Sequence, residues 1–315
     1  MSCFERWYLR CARLTVITLF SVVLAGAVVR ATGSGMGCPD WPRCFGRWIP
    51  PTQLSQLPTD YKSHYPGLEI ADFDAFKTWT EYLNRLLGAT SGLLLLVTLV
   101  LSLMAWKKDR ITPLVLFVSM LLSALVIWLG KTVVDQNLHP RQVTIHMLGG
   151  LALVMGAVAA TTRLSLRLQS RTCLELSPNL RRLLWSALLL VVTQVLLGTQ
   201  MRERVDGLRA AGGCCGGVLE DELGTVYWLH RVVATLVVFA VGGLFFWLRT
   251  LPASALRGLT WCLGILVGLS YLAGVLLIRW QLLAMLQPAH LVLGTLLLGA
   301  LVALLVSSTT LSNRQ

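Results

Sequence analysis

Eight stretches of this sequence stay apolar for about 20 residues each, at about 12–30, 82–106, 111–130, 143–162, 183–201, 223–248, 256–278 and 286–307. Each is long enough to cross a bilayer core of about 30 Å as a helix. Hydrocarbon offers no water to unpaired backbone groups, so a spanning segment of this kind has to be helical. The expected fold is therefore an all-α integral membrane protein with eight transmembrane helices and both termini on one side. Charge supports this, because only 13% of the residues are charged, about half the share usual in a soluble domain. The first stretch is expected to remain as a helix rather than serve as a removable signal, since Arg30 and a Gly-rich turn follow it instead of a small-residue cleavage site.

The formal charge of +12 would suggest nucleic acid in a soluble chain, but the polar loops here are too small for a separate nucleic-acid domain. No nucleic-acid partner is expected, and the charge is read against membrane lipid. Counted with the tails, the loops at 107–110, 163–182 and 249–257 hold 14 basic residues against Glu5, Asp109 and Glu175 alone. The opposite loops hold the other acids. The positive-inside rule then places both termini in the cytoplasm, within an inner membrane.

The chain also repeats itself. Val23-Leu-Ala-Gly26-Ala-Val-Val-Arg30 at the end of the first stretch lines up with Val195-Leu-Leu-Gly198-Thr-Gln-Met-Arg202 at the end of the fifth. Leu83-Asn84-Arg85 opens the second as Leu229-His230-Arg231 opens the sixth, and His146-x-x-x-Gly150 opens the fourth as His290-x-x-x-Gly294 opens the eighth. Two pseudo-symmetric four-helix bundles in parallel orientation are expected, an N-terminal half at 1–165 and a C-terminal half at 166–315.

Three of the five histidines, His146, His230 and His290, fall near the outer ends of helices at similar depth. A single histidine there is ordinarily a hydrogen-bonding residue between helices, whereas three at repeat-equivalent positions point to a site inside the bundle. Haem iron accepts two axial imidazoles, and a helix bundle can enclose the macrocycle in apolar side chains. His230 and His290 would form such a pair. Zinc fits less well, because no further ligand lies at equal depth. Gly294, Thr295, Ala234 and Thr235 leave room for a ring, or simply pack helices closely.

With these residues in place, the chain resembles the haem A synthase family. The resemblance rests on the run from Ala31 to Pro51, with Gly37-Cys-Pro-Asp-Trp-Pro-Arg-Cys44 as its most specific part. It rests also on Glu81-x-x-x-Arg85, Val143-Thr-Ile-His146, Leu229-His230-Arg231 and Pro288-Ala-His290. It implies an oxidoreductase that converts haem O to haem A by oxidising a ring methyl to a formyl group, for terminal oxidase assembly. It further implies a haem b cofactor on His230 and His290, in the C-terminal half, and haem O as substrate against His146 in the N-terminal half. Haem O synthase, oxidase assembly proteins and an electron donor are the implied partners.

The sequence departs from the family where Asn84 stands in place of a histidine, and Asn is no axial ligand. Either His146 holds the substrate haem alone, with Asn84 shaping an open face, or another group substitutes, His139 being a better candidate than His64, or the protein binds haem without the family reaction. Glu81, three residues before Asn84, would assist proton transfer, or be a helix-dipole carboxylate. Arg85 and Arg231 would suit haem propionates, or anchor at the interface. Cys38 and Cys44 are a disulfide candidate with a redox or a structural role, and adjacent Cys214 and Cys215 are not expected to bridge. The long outer loop of about 50 residues is expected to be functional, with Trp41, Trp48 and Trp79 capping the site or lying in an aromatic belt. Alternative functions are a b-type cytochrome that only transfers electrons, a non-catalytic haem-handling assembly factor, and a transporter, the last disfavoured by the parallel repeat.

Overall fold

A computed structural model of the chain describes residues 1–65, 73–169, 176–210, 223–251, 256–279 and 285–309. Cys173, Cys214 and Cys215 lie outside the described residues. Eight long helices run through it: α1 (Cys3–Ala31), α2 (Ala75–Met104), α3 (Ile111–Asp135), α4 (Pro140–Leu168), α5 (Pro178–Ala210), α6 (Thr225–Arg249), α7 (Arg257–Arg279) and α8 (Leu286–Thr309). All eight are long and apolar enough to cross a membrane. Their outward faces carry large exposed apolar side chains such as Leu93, Leu121, Leu189 and Phe239, which is the surface a helix presents to lipid rather than to water. The protein is a multi-pass membrane protein.

Several helices outrun their apolar cores. α1 begins at Cys3 because Ser2 and Glu5 form a reciprocal capping box. α2 begins at Ala75, where Asp74 accepts from the backbone N–H groups of Phe76 and Lys77. α5 continues past its apolar run to Ala210, carrying an Arg202–Asp206 ion pair at 2.9 Å between residues one turn apart.

The chain divides into two compact units, Met1–Thr161 and Thr162–Gln315. In the first, α1 packs on α2 and α2 on α3; Thr15 and Thr98 share a buried hydroxyl hydrogen bond of 2.9 Å between α1 and α2. α4 closes the ring, touching α3 through His146 and α1 through Thr161 Oγ1, which donates to the Ala12 carbonyl at 3.3 Å. In the second unit, α5 packs on α6, α6 on α7, α7 on α8 and α8 on α5. Each unit is thus a ring of four helices in chain order.

The loop after α1 is folded down onto the start of α2. Gly37 permits the contact: a Cβ there would lie 2.3 Å from the Lys77 carbonyl oxygen, so no other residue fits without moving backbone. Cys38 and Cys44 are joined in a disulfide. Asp40 accepts from the N–H groups of Phe45 at 2.6 Å and Gly46 at 2.8 Å, holding the turn where both residues take positive φ. Phe45 then packs edge-on against Tyr61, Tyr65 and Phe73.

Arg85 fastens this loop to α2. Its Nη1 donates to the carbonyls of Asp40 at 2.6 Å and Arg43 at 3.2 Å, its Nη2 to that of Cys38 at 2.7 Å, and its Nε to Glu81 Oε1 at 2.9 Å. Glu81 is buried, with 7% of its surface exposed, so its carboxylate depends on this one guanidinium.

Two outcomes follow from these contacts. Gly37→Ala should cost about 1–3 kcal/mol, read as a lower thermal midpoint together with faster reduction of the Cys38–Cys44 disulfide by added dithiothreitol; an unchanged midpoint would show that the loop is not pressed on α2. Arg85→Met leaves a buried carboxylate unpaired and should cost about 3–5 kcal/mol. Adding Glu81→Gln to Arg85→Met should recover part of that loss, and a purely additive double variant would rule out the ion pair as its source.

Candidate functional site

The second unit brings the rings of His230 on α6 and His290 on α8 together edge-on. Their ring centroids are 6.5 Å apart, with the ring planes at 66°. Two imidazoles bound across one iron, each at a metal–nitrogen distance of about 2 Å, place their centroids roughly 6 Å apart. The pair is therefore already spaced for one metal between the rings. Both Nδ1 atoms are buried without a hydrogen-bond partner, an arrangement that costs about 1–3 kcal/mol per group.

Small residues on the neighbouring helices make the space for these rings. A Cβ on Gly198 of α5 would stand 3.5 Å from His230 Cε1, and one on Gly274 of α7 would stand 3.2 Å from His290 Cε1. Gln194 lies one turn before Gly198 and donates its side-chain N–H to His230 Nε2 at 3.0 Å, while its Oε1 is buried with no partner. Arg231 bonds the Tyr227 hydroxyl at 2.9 Å and stacks over Tyr227 and Trp228 at 5.3 Å from each ring.

The first unit has the same scaffold with a different pair of side chains. A Cβ on Gly26 of α1 would meet Asn84 Oδ1 at 3.8 Å, and one on Gly130 of α3 would meet His146 Cε1 at 3.2 Å. His146 Nδ1 lies 3.1 Å from the Val126 carbonyl, which fixes the proton on that nitrogen and leaves Nε2 with its lone pair, the form a metal requires. Asn84 Oδ1 is buried and has no hydrogen-bond partner.

The remaining residues singled out in the sequence lie elsewhere. His64 is exposed and bonds the Asp60 carbonyl at 3.0 Å; His139 is exposed at the start of α4. Trp41 and Trp48 are exposed, at 42% and 64%, while Trp79 reaches back to the Pro51 carbonyl at 3.2 Å. Arg85 gives its donors to Glu81 and to the outer loop, a role that its assignment to a propionate did not anticipate.

Gln194, Gly130 and Gly274 were missed by inspection of the sequence. Gln194 carried a signal, an amide in the middle of a largely apolar run. The glycines carried another, since each stands 16 residues before its histidine, at 130 and 146 and at 274 and 290.

Residues 9–302 match the COX15-CtaA family model, a cytochrome oxidase assembly protein. A haem A synthase of Shewanella oneidensis is 31% identical over 59% of this chain and 54% of its own length. One of Nitrosomonas eutropha is 27% identical over 77% of this chain and 75% of its own length. One of Geobacillus kaustophilus is 29% identical over 38% of this chain and 32% of its own length. The chain thus spans about half the length of the first of these curated relatives. With the family model covering nearly all of it, the chain belongs to the COX15-CtaA family of cytochrome oxidase assembly proteins.

Proposed function

We propose that this protein is a haem A synthase, an oxidoreductase that oxidises a methyl group of haem O to the formyl group of haem A. The observation that carries this reading is the facing pair His230 and His290, 6.5 Å apart between ring centroids, in a chain whose relatives are haem A synthases. In this reading the pair holds haem b, and the substrate haem O lies against His146 in the first unit. A bound haem b supplies one-electron redox chemistry. The two domains of the proposal are 1–165 for the substrate and 166–315 for the cofactor.

The protein's own residues bind and orient the two haems and exclude water from them. Gly198 and Gly274 admit the imidazoles of the second unit, Gln194 orients His230 through its Nε2, and the two histidines would hold the haem iron. His146 is oriented by its bond to the Val126 carbonyl. Glu81 is the carboxylate proposed to handle protons beside the substrate, kept inside the bundle by Arg85. Arg231, at the outer end of α6, is proposed to meet a propionate, and Arg85 acts by closing the outer loop over the first unit. The disulfide between Cys38 and Cys44 lies in that loop.

The reading places the protein in the inner membrane with both termini in the cytoplasm, because the basic loops and the acidic loops fall on opposite sides of the eight spans. Haem O synthase would supply its substrate, terminal oxidase assembly would consume its product, and a separate donor or acceptor would exchange electrons with it. One observation favours a second reading, a non-catalytic haem-handling assembly factor: the first unit offers Asn84 where a second ligand would be expected.

Expression in a host that makes haem O and no haem A, followed by extraction and mass analysis of the pigments, separates the two. The enzyme yields haem A. Bound haem b with haem O left unchanged would contradict the synthase and support the second reading.

A further inference from the structure

The first unit differs from the second on two helices: Asn84 stands where the second has His230, and Val22 where it has Gln194. In both, a glycine on the third helix opens space beside the histidine of the fourth: Gly130 for His146 and Gly274 for His290, each with a built Cβ at 3.2 Å from the ring Cε1. In both, a glycine on the first helix stands under the position on the second: Gly26 under Asn84 and Gly198 under His230. The second unit thereby delivers two imidazoles to one space. The first unit has an imidazole on its fourth helix, and at the second-helix position a carboxamide.

Resting on the reading that the first unit takes the substrate haem, we propose that His146 holds that haem alone, leaving the opposite face of the iron open to a small ligand that Asn84 meets. A carboxamide is shorter than an imidazole and is no axial ligand for haem iron, so Asn84 cannot close that face. No other histidine takes its place, because His64 and His139 are exposed at the surface. The carboxamide is nevertheless kept inside the bundle with a buried, unpartnered oxygen, where it can hydrogen-bond a small molecule and where a leucine would pack without that cost. The polarity of this side of a haem pocket decides which small ligands it accepts. The unpartnered Asn84 Oδ1, facing a space scaffolded like that of the paired imidazoles, makes the first unit a ligand-accepting haem site and the second a closed one.

Carbon monoxide titration of the full-length protein, loaded with haem and reduced, tests this by absorbance. Two populations are expected: a low-spin haem unreactive to carbon monoxide, and a high-spin haem that binds it. His146→Ala should abolish the reactive population, and Asn84→His should convert it to low spin with at least a tenfold loss of carbon monoxide affinity. Asn84→Leu should keep the reactive population, which guards against misfolding in the other two variants. A low-spin haem with no reactive population in the unsubstituted protein overturns the open site while leaving the His230–His290 reading intact. Carbon monoxide binding that survives His146→Ala also overturns it, and the absence of any haem overturns both readings.

Discussion

An imidazole or amide inside an apolar helix bundle has to find its partner within the protein or in a ligand, because lipid offers none. The interior of this protein is arranged around that cost. In the second unit the cost falls on His230 and His290, set 6.5 Å apart between centroids with both Nδ1 atoms unpartnered, and on Gln194, which satisfies one nitrogen of His230 with its amide and leaves its own oxygen bare. Such a cluster is hard to justify as packing, since three leucines would fill it without the desolvation penalty. A metal held between the rings would give this polar cluster a purpose that packing does not. In the first unit the histidine, His146, is satisfied by a carbonyl and the amide, Asn84, has an oxygen that is not.

The outer loop solves a related problem at the helix ends. Glu81 is a buried carboxylate and needs a cation, and Arg85, one turn later, supplies it. The rest of that guanidinium then ties down the carbonyls of Cys38, Asp40 and Arg43. Asn84 lies directly between the two charged positions in sequence. The residue that faces the first site, the carboxylate beside it and the fastening of the loop above it are therefore set by five consecutive positions of α2, and a change in the loop is felt at Glu81.

Much of this was legible in the sequence because it follows from local pattern. Eight apolar runs became eight helices, and the histidines of the second half became neighbours, since hydropathy and the internal repeat act through the chain itself. Helix limits were less legible: α1, α2 and α5 extend beyond their apolar runs because Ser2, Asp74 and the Arg202–Asp206 pair stabilise turns that hydropathy does not register. The clamp made by Arg85 was not legible for a different reason. Its loop partners lie more than 40 residues away, at Cys38, Asp40 and Arg43, and nothing in its neighbourhood distinguishes a clamp from an anion site. Gln194 was overlooked because an amide in a membrane helix gains meaning only once the ring it touches is known.

The pairing of His230 with His290 is tested most directly by electron paramagnetic resonance of the purified full-length protein in its oxidised, haem-loaded state. Two axial imidazoles on one iron predict a low-spin signal that is lost in His230→Ala and in His290→Ala alike, and is kept in His146→Ala. A low-spin signal that persists in either of the first two variants would contradict the pairing.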